Sequence, residues 1–134
     1  MRNTGVNQDG KTAGVTMPDG SAQTALMQYV YTSAALNPTE TSYVEAHGTG
    51  TATGDPIEAS AIGEVFQRKP HKTPVVVGSL KSNIGHLEGA SGVASVLKIT
   101  LMLERKFILP NFDFRKPNAV IPFEKWNMKV STSC

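Results

Sequence analysis

Two short apolar segments, "SYVEAH" at 42–47 and "PVVVGS" at 74–79, constrain the fold of this chain more than any other feature. Neither shows the regular polar alternation of a strand with one face in water, so both are predicted to be central strands. Each strand runs into a glycine-containing loop, and a helical pattern follows each loop. The order strand, helix, strand, helix is typical of an α/β layer with parallel strands and helices on both faces of the sheet.

The segment 55–67, "DPIEASAIGEVFQ", carries the clearest helix start in the chain. Asp55 is expected to be the N-cap, with Pro56 at the first helical position and Glu58 at the third, and each is a favoured residue there. Another helix is predicted over 21–36, where apolar residues recur every three or four positions before an Asn-Pro stop.

A third helix is predicted over 89–106, "GASGVASVLKITLMLERK", and it is apolar on more than one side. A surface helix buries a single stripe, so we expect something larger to cover this one. The last segment, 108–134, has three prolines and scattered aromatic residues and is expected to run extended over a surface. The chain is therefore expected to be part of a larger fold.

Composition narrows the class of protein. The 134 residues suit one compact domain or part of a larger one, and the 40% hydrophobic and 18% charged fractions are typical of a folded chain. The sequence has no secretory signal pattern and no apolar run as long as a membrane span. A single cysteine, Cys134, excludes a disulfide framework and fits a reducing compartment. We therefore expect a soluble cytoplasmic protein.

The charges are unevenly spread along the chain. Two basic and seven acidic residues lie before Gln67, whereas eleven basic and four acidic residues lie from Gln67 onward. A basic half can meet an acidic partner or a nucleic acid. Because no basic run with interleaved aromatic residues appears, we favour a solvated surface and expect no nucleic-acid binding.

The stretch "GVNQDGKT", Gly5 to Thr12, fits the phosphate-binding P-loop pattern residue for residue. That pattern works only when a buried strand delivers the chain and a helix begins at the Lys-Thr. Only "MRNT" precedes it, and the turn-forming "AGVTMPDG" follows it. Asp9 would also point a carboxylate at an anion, so nucleotide binding is not expected.

The two predicted strands each lead to a histidine, His47 in the first loop and His86 in the second. Binding crevices of α/β sheets lie beyond the carboxyl ends of the strands, where these loops should meet. Two neutral imidazoles there can donate N–H groups to a developing oxyanion or shuttle protons. Lys81 in the second loop would disfavour imidazolium. Thr49 and Thr51 are either loop formers or hydroxyl donors to a polar chain in the crevice.

Other interpretations of the histidines and the nearby carboxylates stay open. His71, in "KPHK", is expected to be a solvated histidine. A metal site is conceivable, with Glu45, His47, Asp55 and His86 as the candidate ligands. No H-E-x-x-H pattern or closely spaced ligand pair supports it, so no metal is expected.

Several long motifs carry a family resemblance. "VEAHGTGTATGDPIEASAI" and "GSLKSNIGHLEGASGVASVLK" closely resemble the two histidine motifs of β-ketoacyl synthase domains of type I polyketide synthases. "GVNQDGKTAGVTMPDG" is similar to the start of that family's C-terminal half, which makes the P-loop match accidental. "LPNFDFRKPNAVIPFEKWNMKV" resembles the family's tail, especially in fungal enzymes. Residues 1–134 are thus identified as one partial β-ketoacyl synthase domain, its C-terminal region.

The resemblance implies a thiolase-like fold, of which this chain would be the C-terminal half of an αβαβα sandwich, usually in a dimer. It implies decarboxylative Claisen condensation between an acyl thioester and a malonyl unit on the phosphopantetheine of an acyl carrier protein, with no bound cofactor. His47 and His86 would be catalytic, Lys81 would support His86, and Thr49 and Thr51 would bind the pantetheine arm.

One catalytic group of the family has no counterpart here. The nucleophilic cysteine lies in a TACSS-like turn at a helix N-terminus, and no such stretch occurs in this chain. Cys134, the last residue, has no helix behind it and is not expected to replace it. The chain alone is therefore expected to be inactive without the N-terminal half of the ketosynthase. The alternatives are a non-catalytic half-domain that binds a carrier protein or a complementary half, and a gene remnant that does not fold stably.

Overall fold

The computed structural model describes residues 1–8 and 18–132 of the chain. Lys11 and Thr12 of the P-loop-like stretch, Asp9, and Cys134 lie outside the described residues. Four helices, three strands and two single 3-10 turns, at Pro38–Glu40 and Glu88–Ala90, make up the described part. In chain order the helices and strands are α1 Gly20–Ser33, β1 Tyr43–Glu45, α2 Gly54–Phe66, β2 Val75–Gly78, α3 Lys81–Ile84, α4 Ser91–Arg105 and β3 Met128–Val130.

The three strands form one sheet in the order β1-β2-β3, and both neighbouring pairs are parallel. Val77 at its centre lies opposite Val44 on one side and Val130 on the other. The predicted parallel α/β layer is confirmed. β3 was not predicted as a strand, because three residues without an apolar run give no strand signal. Its pairing depends on long-range bonds such as the one that Ser131 N donates to Val77 O, 3.1 Å away.

The core lies between α2 and one face of the sheet. Its buried residues are Ile62, Val65, Phe66, Val75, Trp126 and Met128. The indole of Trp126 packs against Gly63 of α2, where the Cβ of any other residue would overlap the ring. The C-terminal segment from residue 108 onward (the tail) therefore completes the core through Trp126 and the sheet through β3.

Tyr43 and Glu45 point to the other face of the sheet, since neighbouring strand residues alternate in direction and Val44 packs against the core. The Tyr43 side chain passes over Gly78 of β2, which has no Cβ to obstruct it. On this face both side chains meet Lys98 of α4. Helices α2 and α4 thus contribute to opposite faces, as predicted.

The predicted start of α2 and the predicted end of α1 are wrong. α2 begins at Gly54 with Thr53 as its N-cap, and Asp55 does not cap it, because its carboxylate accepts a hydrogen bond from Gly50 N instead. α1 ends at Ser33 rather than at residue 36, since Ala35 adopts a left-handed φ of 53° that breaks the helix before the Asn-Pro sequence.

The apolar surface of α4 is largely uncovered. Only Lys98 and Met102 of this helix are buried. Five large apolar residues are 52–74% exposed, namely Val93, Val96, Leu97, Leu101 and Leu103. The 3-10 turn Glu88–Ala90 occupies the start of the segment that was predicted to be helical. Across the described residues, no helix has the length and apolar character needed to cross a membrane.

Candidate active site

The structure brings the two loop histidines together at the carboxyl edge of the sheet. His47 follows the end of β1 by two residues, and His86 follows α3. Their ring centroids lie 5.3 Å apart with an interplanar angle of 86°. Both side chains are exposed in this chain. Residues far apart in sequence thus form one imidazole pair, as their parallel placement after two strands predicts.

Glu58 of α2 holds the His47 loop in place. Its two carboxylate oxygens accept hydrogen bonds from His47 N at 2.6 Å and from Gly48 N at 2.9 Å. Gly48 has a positive φ of 51°, and a Cβ there would lie 2.7 Å from Ser79 Cβ. Ser79 Oγ, at the end of β2, donates to His47 O at 3.2 Å. These contacts with α2 and with the residue after β2 hold the backbone of the His47 loop in one conformation.

Replacing Glu58 by alanine should raise the amide exchange rates of His47 and Gly48 by at least about tenfold, because each N–H loses a charge-assisted bond that contributes about 1.5–3 kcal/mol. Hydrogen exchange followed by NMR measures this directly. Glu64→Ala on the same helix is the control, since the Glu64 carboxylate accepts a 3.3 Å bond from Thr24 and, within residues 1–8 and 18–132, no hydrogen bond joins it to the His47 loop. Unchanged exchange at both amides in Glu58→Ala would contradict the assignment.

His86 is oriented by the start of α4. Its Nδ1 accepts a 2.9 Å hydrogen bond from Glu88 N and lies 3.1 Å from Ser91 Oγ. A ring whose Nδ1 accepts from a backbone N–H carries its proton on Nε2 when neutral. Nε2 of His86 is then a hydrogen-bond donor. Sequence reasoning did not find the parts played by Glu88 and Ser91, since both depend on a turn that only the structure reveals.

Lys81 and the two threonines border the open space around the histidines. Lys81, at the start of α3, lines a cleft of about 500 Å³ together with His86 and Thr49. Thr49, Thr51 and His47 line a neighbouring cleft of about 830 Å³. Thr51 Oγ1 accepts a 3.0 Å bond from Gly54 N, which leaves its hydroxyl hydrogen to be donated. The His47–Thr51 loop thus separates two clefts.

A buried ion pair lies beneath this edge of the sheet. Lys98 Nζ contacts Glu45 Oε2 at 2.7 Å and Tyr43 Oη at 2.8 Å, and Tyr43 donates to the same carboxylate oxygen at 2.5 Å. Burial, then the hydrogen bond and negative charge of Glu45, raise the pKa of Tyr43 well above its usual value. The phenol therefore stays a donor. A lysine inside the apolar run "VLKITL" is the sequence signal for this pair.

The four conceivable metal ligands do not form a metal site. Within residues 1–8 and 18–132, no three His, Cys, Asp or Glu side chains cluster closely enough to hold an ion. Glu45 is bound to Lys98, and Asp55 to Gly50 N. His47 and His86 are left as a pair of imidazoles.

Comparison with known proteins identifies close relatives. The family model described as "Beta-ketoacyl synthase, C-terminal domain" matches residues 1–115. A reducing polyketide synthase from Cochliobolus heterostrophus is 56% identical over 133 residues, which cover 99% of this chain and 5% of that protein. A highly reducing polyketide synthase from Preussia isomera is also 56% identical over 133 residues, covering 98% of this chain and 6% of that protein.

Solved structures share the fold. The ketosynthase from module 6 of the bacillaene synthase of Bacillus subtilis 168 superimposes with a TM-score of 0.92 at 44% identity, over 98% of this chain and 23% of that one. An oxazolomycin ketosynthase domain from Streptomyces albus JA3453 gives 0.91 at 32% identity, over 98% of this chain and 23% of that one. The thiolase-like fold class predicted from the sequence is confirmed. The chain spans about a twentieth of the polyketide synthases and under a quarter of these ketosynthases.

Proposed function

The chain belongs to the β-ketoacyl synthase family, as the C-terminal domain of a polyketide-synthase ketosynthase, and on that premise we propose that it supplies the histidine half of a condensing active site. The reaction is an acyl transfer by decarboxylative Claisen condensation. A malonyl thioester loses CO₂, and the electron pair of the broken bond becomes an enolate. The enolate carbon attacks an acyl thioester on a cysteine, a C–C bond forms, and the cysteine thiolate leaves.

The imidazole pair is the observation that supports this proposal. His47 and His86 lie side by side, and the hydrogen bond at His86 Nδ1 directs the N–H of the neutral ring to Nε2. In this proposal the His86 N–H and a ring N–H of His47 together stabilise the negative oxygen of the malonyl thioester as CO₂ leaves. Lys81 lines the same cleft as His86 and supports it electrostatically by placing a positive charge beside the developing negative oxygen. His47 and His86 are thus the catalytic residues, with Lys81 in support.

Thr49 and Thr51 bind the substrate arm in this proposal. Both border the cleft that contains His47, where their hydroxyls can bond the amides of a phosphopantetheine chain. That chain is carried by an acyl carrier protein, which is the partner that delivers the acyl and malonyl thioesters. No separate cofactor takes part, because the carrier-bound thioesters are themselves the reactants.

The nucleophile comes from the rest of the ketosynthase. The chain has one cysteine, Cys134, which lies outside the described residues, and its sequence contains no TACSS-like turn. The solved ketosynthases are about four times longer than the part matched by this chain. We infer that residues 1–134 act as the C-terminal region of such a domain. In this proposal the N-terminal half of the complete ketosynthase provides the cysteine, covers α4, and takes part in the homodimer.

The direct test mixes the chain with a separately produced N-terminal half of a fungal reducing ketosynthase, an acyl thioester and malonyl-carrier protein. Ketoacyl product should form in the mixture and not with either part alone. Product from the isolated chain would overturn the inferred incompleteness. If the chain and the N-terminal half bind each other but yield no product and no CO₂, the result would count against the proposed condensation.

Replacing Leu97 by glutamate should separate assembly from folding. Leu97 is 58% exposed on α4, so the stability of the isolated chain should change by less than about 0.5 kcal/mol. Condensation in the mixture should fall at least about tenfold, since the variant places a charge in the apolar contact with the N-terminal half. Thermal unfolding and product formation measure the two effects.

Val120→Glu is the matched control for Leu97→Glu, because Val120 is an exposed apolar residue outside α4. It should leave both stability and product formation unchanged. Equal loss of product in the two variants would indicate that added charge alone weakens assembly, and would contradict the role given to α4.

A second candidate function, a non-catalytic module that binds a carrier protein, is favoured only by the excess of basic residues after Gln67. Carrier proteins of acidic charge would then bind the isolated chain in a salt-dependent manner. Calorimetric titration at low and high salt tests this. Binding without condensation in the complemented mixture would favour the module, and no binding at low salt would exclude it.

A further inference from the structure

The carboxylate of Glu45 is unusual for its burial and for the number of elements that it joins. Its side chain is 8% exposed and that of its partner Lys98 is 3% exposed. Oε2 accepts from Lys98 Nζ and from the Tyr43 hydroxyl. An ionised pair taken out of water is costly unless its geometry and hydrogen bonds are nearly complete. Both the geometry and the hydrogen bonds of this pair meet that condition, so the orientation of the Glu45 carboxylate is strongly constrained.

The second oxygen of the same carboxylate reaches the other histidine loop. Glu45 Oε1 accepts a 2.6 Å hydrogen bond from Leu80 N. Leu80 is the residue before α3, so this bond sets where α3 starts and hence where Lys81 and the following His86 loop lie. Glu45 itself ends β1 two residues before His47. One buried carboxylate therefore ties the His47 loop to the His86 loop, and Lys98 ties both to α4.

We propose that Glu45 is a positioning residue that sets the separation of the His47 and His86 rings, with Lys98 as the charge partner that holds its carboxylate in place. The kinetic part of this inference rests on the proposed function, whereas the structural part does not. Positioning matters because a displacement of about 1 Å in a catalytic group can cost about 10²-fold in rate. Without the Glu45 bond, the start of α3 can move relative to β1.

The variants follow from the hydrogen bonds. In Glu45→Gln, an amide that keeps its oxygen on Leu80 N turns an N–H₂ group towards the Lys98 ammonium, and this buried cation keeps the Tyr43 oxygen but loses its carboxylate partner. The amide therefore rotates to offer its oxygen to the ammonium, and the bond to Leu80 N is lost. Glu45→Gln/Lys98→Met removes the conflict and keeps the Leu80 bond, so the loop geometry should be rescued. Glu45→Ala/Lys98→Met removes the same charges but has no acceptor for Leu80 N, so it should not be rescued.

The first readout is structural and uses the full 134-residue chain. We expect ring-to-ring NOEs between His47 and His86, and slow exchange of the Leu80 amide, in the wild type and in Glu45→Gln/Lys98→Met. Both signals should be lost in Glu45→Gln and in Glu45→Ala/Lys98→Met. Retention of the NOEs in Glu45→Ala/Lys98→Met would overturn the proposal. So would failure of Glu45→Gln/Lys98→Met to restore them.

A destabilised control separates positioning from a general loss of structure. Val75→Ala truncates a fully buried residue at the opposite end of β2, away from the histidine loops. It should lower stability and keep the His47–His86 NOEs. Asp113→Asn removes a carboxylate from an exposed ion pair with Arg115 and should change neither signal. If Val75→Ala loses the NOEs as readily as Glu45→Gln, the signal reports stability and the proposal is wrong.

The second readout is kinetic and uses the chain complemented by the N-terminal half. Glu45→Gln should acylate the cysteine at close to the wild-type rate but release CO₂ about 10- to 100-fold more slowly, because only the second step needs both histidines. Equal slowing of the two steps would overturn the positioning role. Should the wild-type mixture fail to condense at all, the proposed function is wrong, and the NMR comparison still decides the role of Glu45.

Discussion

Replacing His86 by alanine in the complemented ketosynthase should lower the rate of decarboxylative condensation by about 10²- to 10³-fold, which is the usual cost of removing one donor to a developing oxyanion. The reason is that Nδ1 of this ring is already bound by Glu88 N, so Nε2 carries the N–H that faces the cleft. The bond to the oxyanion is strongest in the transition state. The loss should therefore appear in kcat more than in KM.

Single-turnover release of CO₂ from a malonyl-carrier protein measures this loss. His71→Ala is the matched control, because His71 is an exposed histidine before β2, at the opposite end of the sheet from His86. It should leave the rate unchanged. A decrease of less than about tenfold in His86→Ala would mean that this imidazole is not an oxyanion donor. A purely KM effect would place it in substrate binding.

Replacing Trp126 by alanine should lower the free energy of unfolding by about 3–5 kcal/mol, the usual cost of truncating a buried Trp or Phe. Trp126 is 6% exposed and packs on Gly63, so the missing indole leaves a cavity between the tail and α2. The surrounding backbone cannot fill that cavity without moving α2. The effect should be among the largest of any single substitution, because the core of this chain is small.

Chemical unfolding followed by far-ultraviolet circular dichroism measures this change, since the variant lacks the fluorescent indole. Val120→Ala, at a residue that is 72% exposed in the same tail, is the control and should stay within about 0.5 kcal/mol of the wild type. Equal midpoints for Trp126→Ala and the wild type would show that the tail does not stabilise α2.

The wrong helix start at Asp55 illustrates a limit of sequence reasoning. A carboxylate just before a helix can accept from the first N–H groups of that helix or from any other donor in reach. Here Asp55 accepts from Gly50 and Glu58 from His47 and Gly48. Local propensity indicates that a helix begins nearby, but it does not indicate which donor a flexible carboxylate meets.

The ion pair of Glu45 and Lys98, which lies beneath the candidate active site, illustrates the same limit of sequence reasoning. The two residues are 53 positions apart, and the sequence indicates Glu45 only as a conceivable metal ligand. A buried lysine in an apolar helix demands an anionic partner, so the run around Lys98 does indicate that such a partner exists. Its identity depends on how α4 crosses the sheet, which no local pattern encodes.

Sequence patterns alone are enough to predict the parallel α/β layer, the two histidine loops after its strands, and an apolar helix that needs a cover, because apolar periodicity and glycine placement act within a few residues of chain. Three features become visible only in the folded chain: the third strand, the 5.3 Å distance between the His47 and His86 rings, and the carboxylates of Glu45 and Glu58 that hold the histidine loops. These features pair groups distant in sequence. Their geometry follows from how the packed helices and strands bring backbone N–H groups and buried charges within hydrogen-bonding distance.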